Sequence, residues 1–125
     1  MTRAIRIFVL VECVAFIAAS LTHFGILMDG YQHQKAGTAE GVIGVVLLVG
    51  LTLIWIRPAS IRITGLAVQS FALFGTLIGI FTIVVGVGPR TVPDIVFHAF
   101  LVLLLLSGLV TAMRTPKWNY GVNTK

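Results

Sequence analysis

The sequence predicts an all-α integral membrane protein, an antiparallel up-down-up-down bundle of four transmembrane helices in a single domain. Three observations carry that prediction. The chain of 125 residues is 58% hydrophobic and only 10% charged, with mean hydropathy +1.04, a composition that excludes an ordinary soluble domain. Its apolar residues fall into four runs near bilayer-spanning length, joined by segments too short to fold separately. Its cations are distributed unevenly about those runs, as loop charges are in multi-pass proteins.

The runs are Ile5–Met28, Gly41–Ile56, Ile63–Gly88 and Pro93–Met113. The first follows Arg3 and Arg6 and so resembles a signal peptide, with Ala18-Ala19-Ser20 as a cleavage region. Its length and its central Glu12 predict instead a retained span. At about 1.5 Å per residue the second run covers only about 24 Å, so its helix is expected to begin near Thr38. Thr38-Ala39-Glu40-Gly41 then sets an acid beside the positive end of that helix. Val87-Gly88-Pro89-Arg90 reads as the turn that stops the third helix. Thr91-Val92-Pro93-Asp94 reads as the start of the fourth, a capping box with proline in the first turn. The spans are placed at 5–28, 38–56, 63–88 and 93–113, with a cytoplasmic tail over 114–125.

Arg3, Arg6, Arg57, Arg62, Arg114, Lys117 and Lys125 lie on one side of these spans, and only Lys35 and Arg90 on the other. The positive-inside rule puts both termini and the 57–62 loop in the cytoplasm of a bacterial-type plasma membrane (the cell inner membrane). The 29–39 and 89–92 loops face outward. Trp55, Trp118 and Tyr120 suit the inner interface and Tyr31 the outer one. Because the cations stand singly or in pairs at span ends, the net charge of +5 reads as topology and not as a nucleic-acid surface. Cys13, the lone cysteine, reads as a small buried hydrophobe.

Alternating steps of four and three mark one inward stripe on each helix. The third span gives Gly65, Gln69, Ala72, Thr76, Gly79, Ile83 and Gly86, and small residues of this kind let helices approach closely in lipid. Gly75 and Gly79 also form a GxxxG, a face on which a second copy could dock. The first span gives Glu12, Phe16, Ala19 and His23. The second gives Glu40, Gly44, Leu47 and Leu51, and the fourth Asp94, His98, Leu101, Leu105, Gly108 and Ala112. Counting from the span ends sorts the polar members into two layers. His23, His98, Glu40 and Asp94 share an outer level, with His33 in the adjoining loop. Glu12 and Gln69 share an inner level, where the amide can hydrogen-bond the carboxyl.

Ionisable groups at membrane depth are costly and mark functional interiors. The outer set offers ligand types for Zn, Cu or Fe. His23 and His98 on facing helices also have the side chains to hold a haem b axially. No HxxxH, HExxH or CxxC occurs, so the favoured expectation is no cofactor, with the histidines and carboxylates satisfying one another across helices. His23 and His98 are expected to lie close together with Glu40 or Asp94 beside them. If a ligand binds there, neutral imidazoles are the expected donors, and acid should weaken it.

Glu12, within Leu10-Val11-Glu12-Cys13-Val14, supports a second reading. In chain size, in four short-looped spans and in a glutamate midway along span one, the chain resembles the small multidrug resistance transporters. That resemblance implies a proton-coupled carrier in which Glu12 exchanges protons for substrate. Span two has no membrane-embedded Trp or Tyr of the kind that family carries, and His23 and His98 have no counterpart there. No Ser/His/Asp or Cys/His nucleophile pairing and no phosphate-binding glycine loop is present. Four helices without a further domain leave one small interior. The expectation is therefore a non-enzymatic accessory or ligand-binding membrane subunit, with the bilayer and either a second copy or a larger membrane complex as partners.

Overall fold

Glycines in the left-handed region, more than any loss of hydropathy, decide where the first and third helices stop. The computed structural model describes residues 1–116, and its long elements are four α-helices: α1 (Thr2–His23), α2 (Gln34–Ile56), α3 (Ile61–Val84) and α4 (Val92–Arg114). One turn of 3-10 helix, Pro58–Ser60, joins α2 to α3. Gly25 has φ 74°, its N–H bonds to the Thr22 carbonyl, and Ile26 N–H reaches back to Leu21. Gly86 has φ 84° and repeats the pattern, with its own N–H on Ile83 and Val87 N–H on Thr82. These are the paired bonds of a Schellman motif, which only a residue without Cβ closes cheaply. The expected spans to Met28 and Gly88 are thus shortened to His23 and Val84. Their apolar runs simply continue into the turns.

The start of α2 also differs from expectation. His33 caps it, its Nδ1 accepting the Ala36 N–H at 3.2 Å, so the helix begins at Gln34 and not near Thr38. Glu40 therefore sits in the second turn, beyond the unpaired N–H groups it was expected to neutralise. For α4 the start is as read: Thr91 and Asp94 form the capping box, with proline in the first turn.

Each helix is long and apolar enough to cross a membrane. At about 1.5 Å rise per residue they measure roughly 33–36 Å, against about 30 Å of hydrocarbon. Helices adjacent in sequence pack side by side, α4 closes onto α1, and α1 also touches α3. Among the described residues α2 and α4 do not pack on each other. The core is a column of Ile5, Val9, Phe16, Leu47, Leu101 and Leu105, all essentially inaccessible. The outside is equally apolar: Val14, Val45, Phe74, Phe81 and Leu103 are all exposed.

The stripes of α1 and α4 named above are buried throughout. On α2 and α3 they drift: Leu51 and Gly79 are half-buried and Gly86 is exposed in its turn. The GxxxG is turned inward. A Cβ on Gly75 would meet Ile43 Cδ1 at 2.6 Å, and one on Gly79 would meet His98 Nε2 at 3.1 Å. Both glycines thus pack within the bundle, against α2 and α4, and not on a face open to a second copy. At the opposite end of the bundle Arg6 stacks over the Trp55 ring at 4.5 Å, and Arg62 donates to the Met113 carbonyl at 3.5 Å. Lys117, Trp118, Tyr120 and Lys125, assigned above to the inner side, lie outside the described residues.

Candidate functional site

His23, the last residue of α1, is the hub of a buried three-helix cluster. Its Nδ1 lies 2.6 Å from Glu40 Oε2 on α2, and its Nε2 lies 3.2 Å from Asp94 Oδ1 on α4. All three side chains are over nine-tenths buried. The local sequence sets this up. The Gly25 turn ends α1 at His23, and His33 N–H bonds back to the His23 carbonyl at 2.8 Å. The second oxygen of Asp94 is held by the Thr91 backbone N–H at 3.2 Å and by the Thr91 hydroxyl. Ser20 locks α1 onto α2 by donating to the Gly37 carbonyl at 2.7 Å.

Each contact between an imidazole nitrogen and a carboxylate oxygen needs one proton, so the two contacts hold two protons, as an imidazolium between two carboxylates or as a neutral imidazole with one protonated carboxyl. Among the described residues neither Lys35 nor Arg90 pairs with these carboxylates. Arg90 is occupied by the carbonyls of Ile83 and Val84, at 3.0 and 3.1 Å.

His98, one turn beyond Asp94, completes the arrangement. Its Nδ1 lies 2.8 Å from the Asp94 carbonyl, which can only accept, so Nδ1 carries a proton. His98 and Glu40 both line a cavity of about 170 Å³ that opens between α2 and α3, with Phe16, Ile43 and Gly79 among its walls. Glu40 Oε1 is buried without a hydrogen-bond partner. Thr76 and Thr82, also on the wall, give their hydroxyl protons to the Ala72 and Gly79 carbonyls. The two threonines thus offer acceptors, while Lys35 and the Nε2–H of His33, whose Nδ1 accepts from Ala36, bring donors to the same wall.

The inner level holds a separate pair. Gln69 Nε2 donates to Glu12 Oε1 at 2.9 Å, with both residues at 0% exposure. Glu12 Oε2 and Gln69 Oε1 have no partner. A proton on the carboxyl would let it return a bond to the amide, whereas an ion there would have no cation to offset its desolvation. Gly108 on α4 makes room for the pair, since a Cβ there would stand 2.6 Å from Glu12 Oε1. The cavity reaches Phe16, one turn from Glu12, and does not include Glu12 itself.

The structure thus joins His23, Glu40 and Asp94 directly, sets His98 one turn away, and leaves His33 as a helix cap whose ring stands edge-on to His23 at 6.5 Å. The double engagement of His23 was not foreseen, because sequence spacing shows which face a residue occupies but not how many partners converge on it. The haem and metal readings fit poorly with this geometry. Both ring nitrogens of His23 are committed to carboxylates, and among the described residues no group of three or more His, Cys, Asp or Glu is disposed to hold a metal ion. Comparison with protein-family models, with curated proteins and with solved structures finds no match to this chain.

Proposed function

We propose that this chain is a multi-pass plasma-membrane protein that acts, without catalysing a reaction, as a ligand-binding or accessory subunit. One observation carries the reading: a buried cluster of one histidine and two carboxylates, in which one Glu40 oxygen has no partner, stands at the edge of a cavity of about 170 Å³. Buried polar groups are normally satisfied, so an orphaned acceptor beside an opening marks a place for a ligand. Membrane insertion is supported by the largely apolar exterior of the helices, which in water would form a patch far larger than monomers tolerate.

The up-down-up-down order is supported by contacts that pair the end of α1 with the start of α2, and by Arg6 meeting Trp55 at the other end. Both termini are cytoplasmic in this reading, because Arg3, Arg6, Arg57, Arg62 and Arg114 fall on that side. Its partners are the lipid bilayer and a further membrane protein, or a second copy docked elsewhere than on Gly75 and Gly79; no nucleic acid is involved.

The test is the purified protein itself. Native mass spectrometry, with an absorption spectrum and metal analysis of the same sample, should show a bound organic molecule or a stoichiometric partner chain. Haem absorption or one equivalent of metal would refute the assignment of the site. Proton-driven uptake in proteoliposomes that vanishes with Glu12→Gln would replace this reading with that of a carrier.

A further inference from the structure

We propose that the cavity between α2 and α3 takes one acyl chain of a phospholipid, whose phosphate head rests on Lys35 and His33 at the rim. This rests on the membrane and ligand-binding readings above and names the ligand. Shape is the first support. Along α2 the wall runs from Lys35 to Ile43, about 12 Å of helix rise. Over that length the cavity holds about 170 Å³, well below the roughly 300–1,000 Å³ of sites for drug-sized ligands. A space so long and so small is a slot for a single chain. Gly75 and Gly79 form part of its α3 wall and add no side chain to fill it.

The second support is how polarity is divided along the slot. Its deep part is lined by carbon from Phe16, Ile43 and Ile78. The Thr76 and Thr82 hydroxyls are bonded to carbonyls of their own helix, and Glu40 Oε1 is buried away from the opening. The donors stand at the start of α2. Lys35 is exposed and forms no salt bridge among the described residues. His33 accepts the Ala36 N–H on Nδ1, so its neutral ring points a proton from Nε2. Donors at one end and carbon at the other select an amphiphile with an acceptor head. A phosphodiester supplies both the acceptor oxygens and the negative charge that Lys35 lacks.

The third support is access. Ala39 on α2 and Ile78 on α3 are lips of the slot, and both are exposed. The slot therefore opens sideways, onto the apolar surface that hydrocarbon covers in a bilayer. An empty apolar space forfeits dispersion contacts on its walls, and a neighbouring chain restores them without leaving hydrocarbon. Lys35 lies in the first turn of α2, where a helix slightly longer than the hydrocarbon is thick reaches the headgroups.

The test uses the whole protein in nanodiscs of phosphatidylglycerol and phosphatidylcholine in equal parts, with matched chains. Native mass spectrometry of the released protein should show one retained phosphatidylglycerol, preferred over phosphatidylcholine by about threefold or more, as expected of a juxtamembrane lysine. A phosphatidylglycerol with a diazirine midway along one chain should label Ile43, which is 6% exposed and closed to bulk lipid. Label confined to exposed residues such as Phe74 and Leu103 would overturn the proposal, as would equal retention of the two lipids. Ala39→Phe fills the mouth from an exposed position and should remove both the retained lipid and the Ile43 label, with an unchanged thermal midpoint. Persistence of both in a folded variant would overturn it too. Lys35→Glu should erase the headgroup preference and leave the Ile43 label; an unchanged preference would refute the head assignment. This variant and the labelling of the parent decide the matter even if Ala39→Phe does not fold. If no phospholipid is retained while another molecule or a partner chain is, the proposal falls and the ligand-binding or accessory reading stands. If nothing is retained, both fall.

Discussion

Replacing Gly108 by alanine tests whether the Glu12–Gln69 pair is packed as tightly as the structure shows. The added Cβ would stand 2.6 Å from Glu12 Oε1 and also collide with the Gln69 amide, and neither side chain has anywhere to go, since both are fully buried. Overpacking of this kind costs about 1–3 kcal/mol. Loosening the buried bond adds about 0.6–1.7 kcal/mol, the range for interhelical hydrogen bonds in membranes. Alanine returns up to about 1 kcal/mol of helix propensity. The net expectation is a loss of about 1–4 kcal/mol, read as a lowered midpoint of thermal unfolding in detergent micelles. Ser107→Ala, one residue away and exposed, is the control and should stay within about 0.5 kcal/mol. The double variant Gly108→Ala/Gln69→Ala should recover part of the loss, because removing the amide makes the space. An unchanged or raised midpoint for Gly108→Ala would refute the close approach of α4 to this pair.

His23→Leu should cost about 3–5 kcal/mol, the usual consequence of removing one member of a buried ion pair; a loss under about 1 kcal/mol in the same assay would deny it the role of hub. Thr91→Ala removes the cap of α4 and should cost about 0.5–2 kcal/mol, seen as earlier fraying of that helix by hydrogen exchange. Reporter fusions after Lys35 and at Lys125 should read opposite compartments, and a common compartment would break the span assignment.

Much of the architecture is legible in the sequence because it follows from bulk properties. Hydropathy alone marks four helices, and the flanking arginines place Glu12 and Gln69 at one depth, where the structure has them bonded. Helix ends are less legible, since the turns at Gly25 and Gly86 depend on a backbone angle and the residues around them stay apolar. His33 as the cap of α2 is hidden for a related reason: histidine is an uncommon cap, and Thr38 offers a commoner signal. Small-residue spacing on α3 reveals close packing without saying which partner is close, so Gly75 and Gly79 read equally well as an outer face. The cavity has no sequence signature, because it is the space left between side chains on separate helices.

The placement of His23 also bears on the order in which the molecule is completed during synthesis. Glu40 follows it by only 17 positions, but Asp94 lies 71 positions downstream. In the membrane-inserted form proposed here, a chain delivered from its N-terminus docks the first hairpin early, with one imidazole nitrogen still unmatched. That vacancy persists through the arrival of α3 and closes only when α4 brings Asp94. The last helix to enter is thus the one that seats the first, and a nascent chain halted before Asp94 should remain a substrate for quality control.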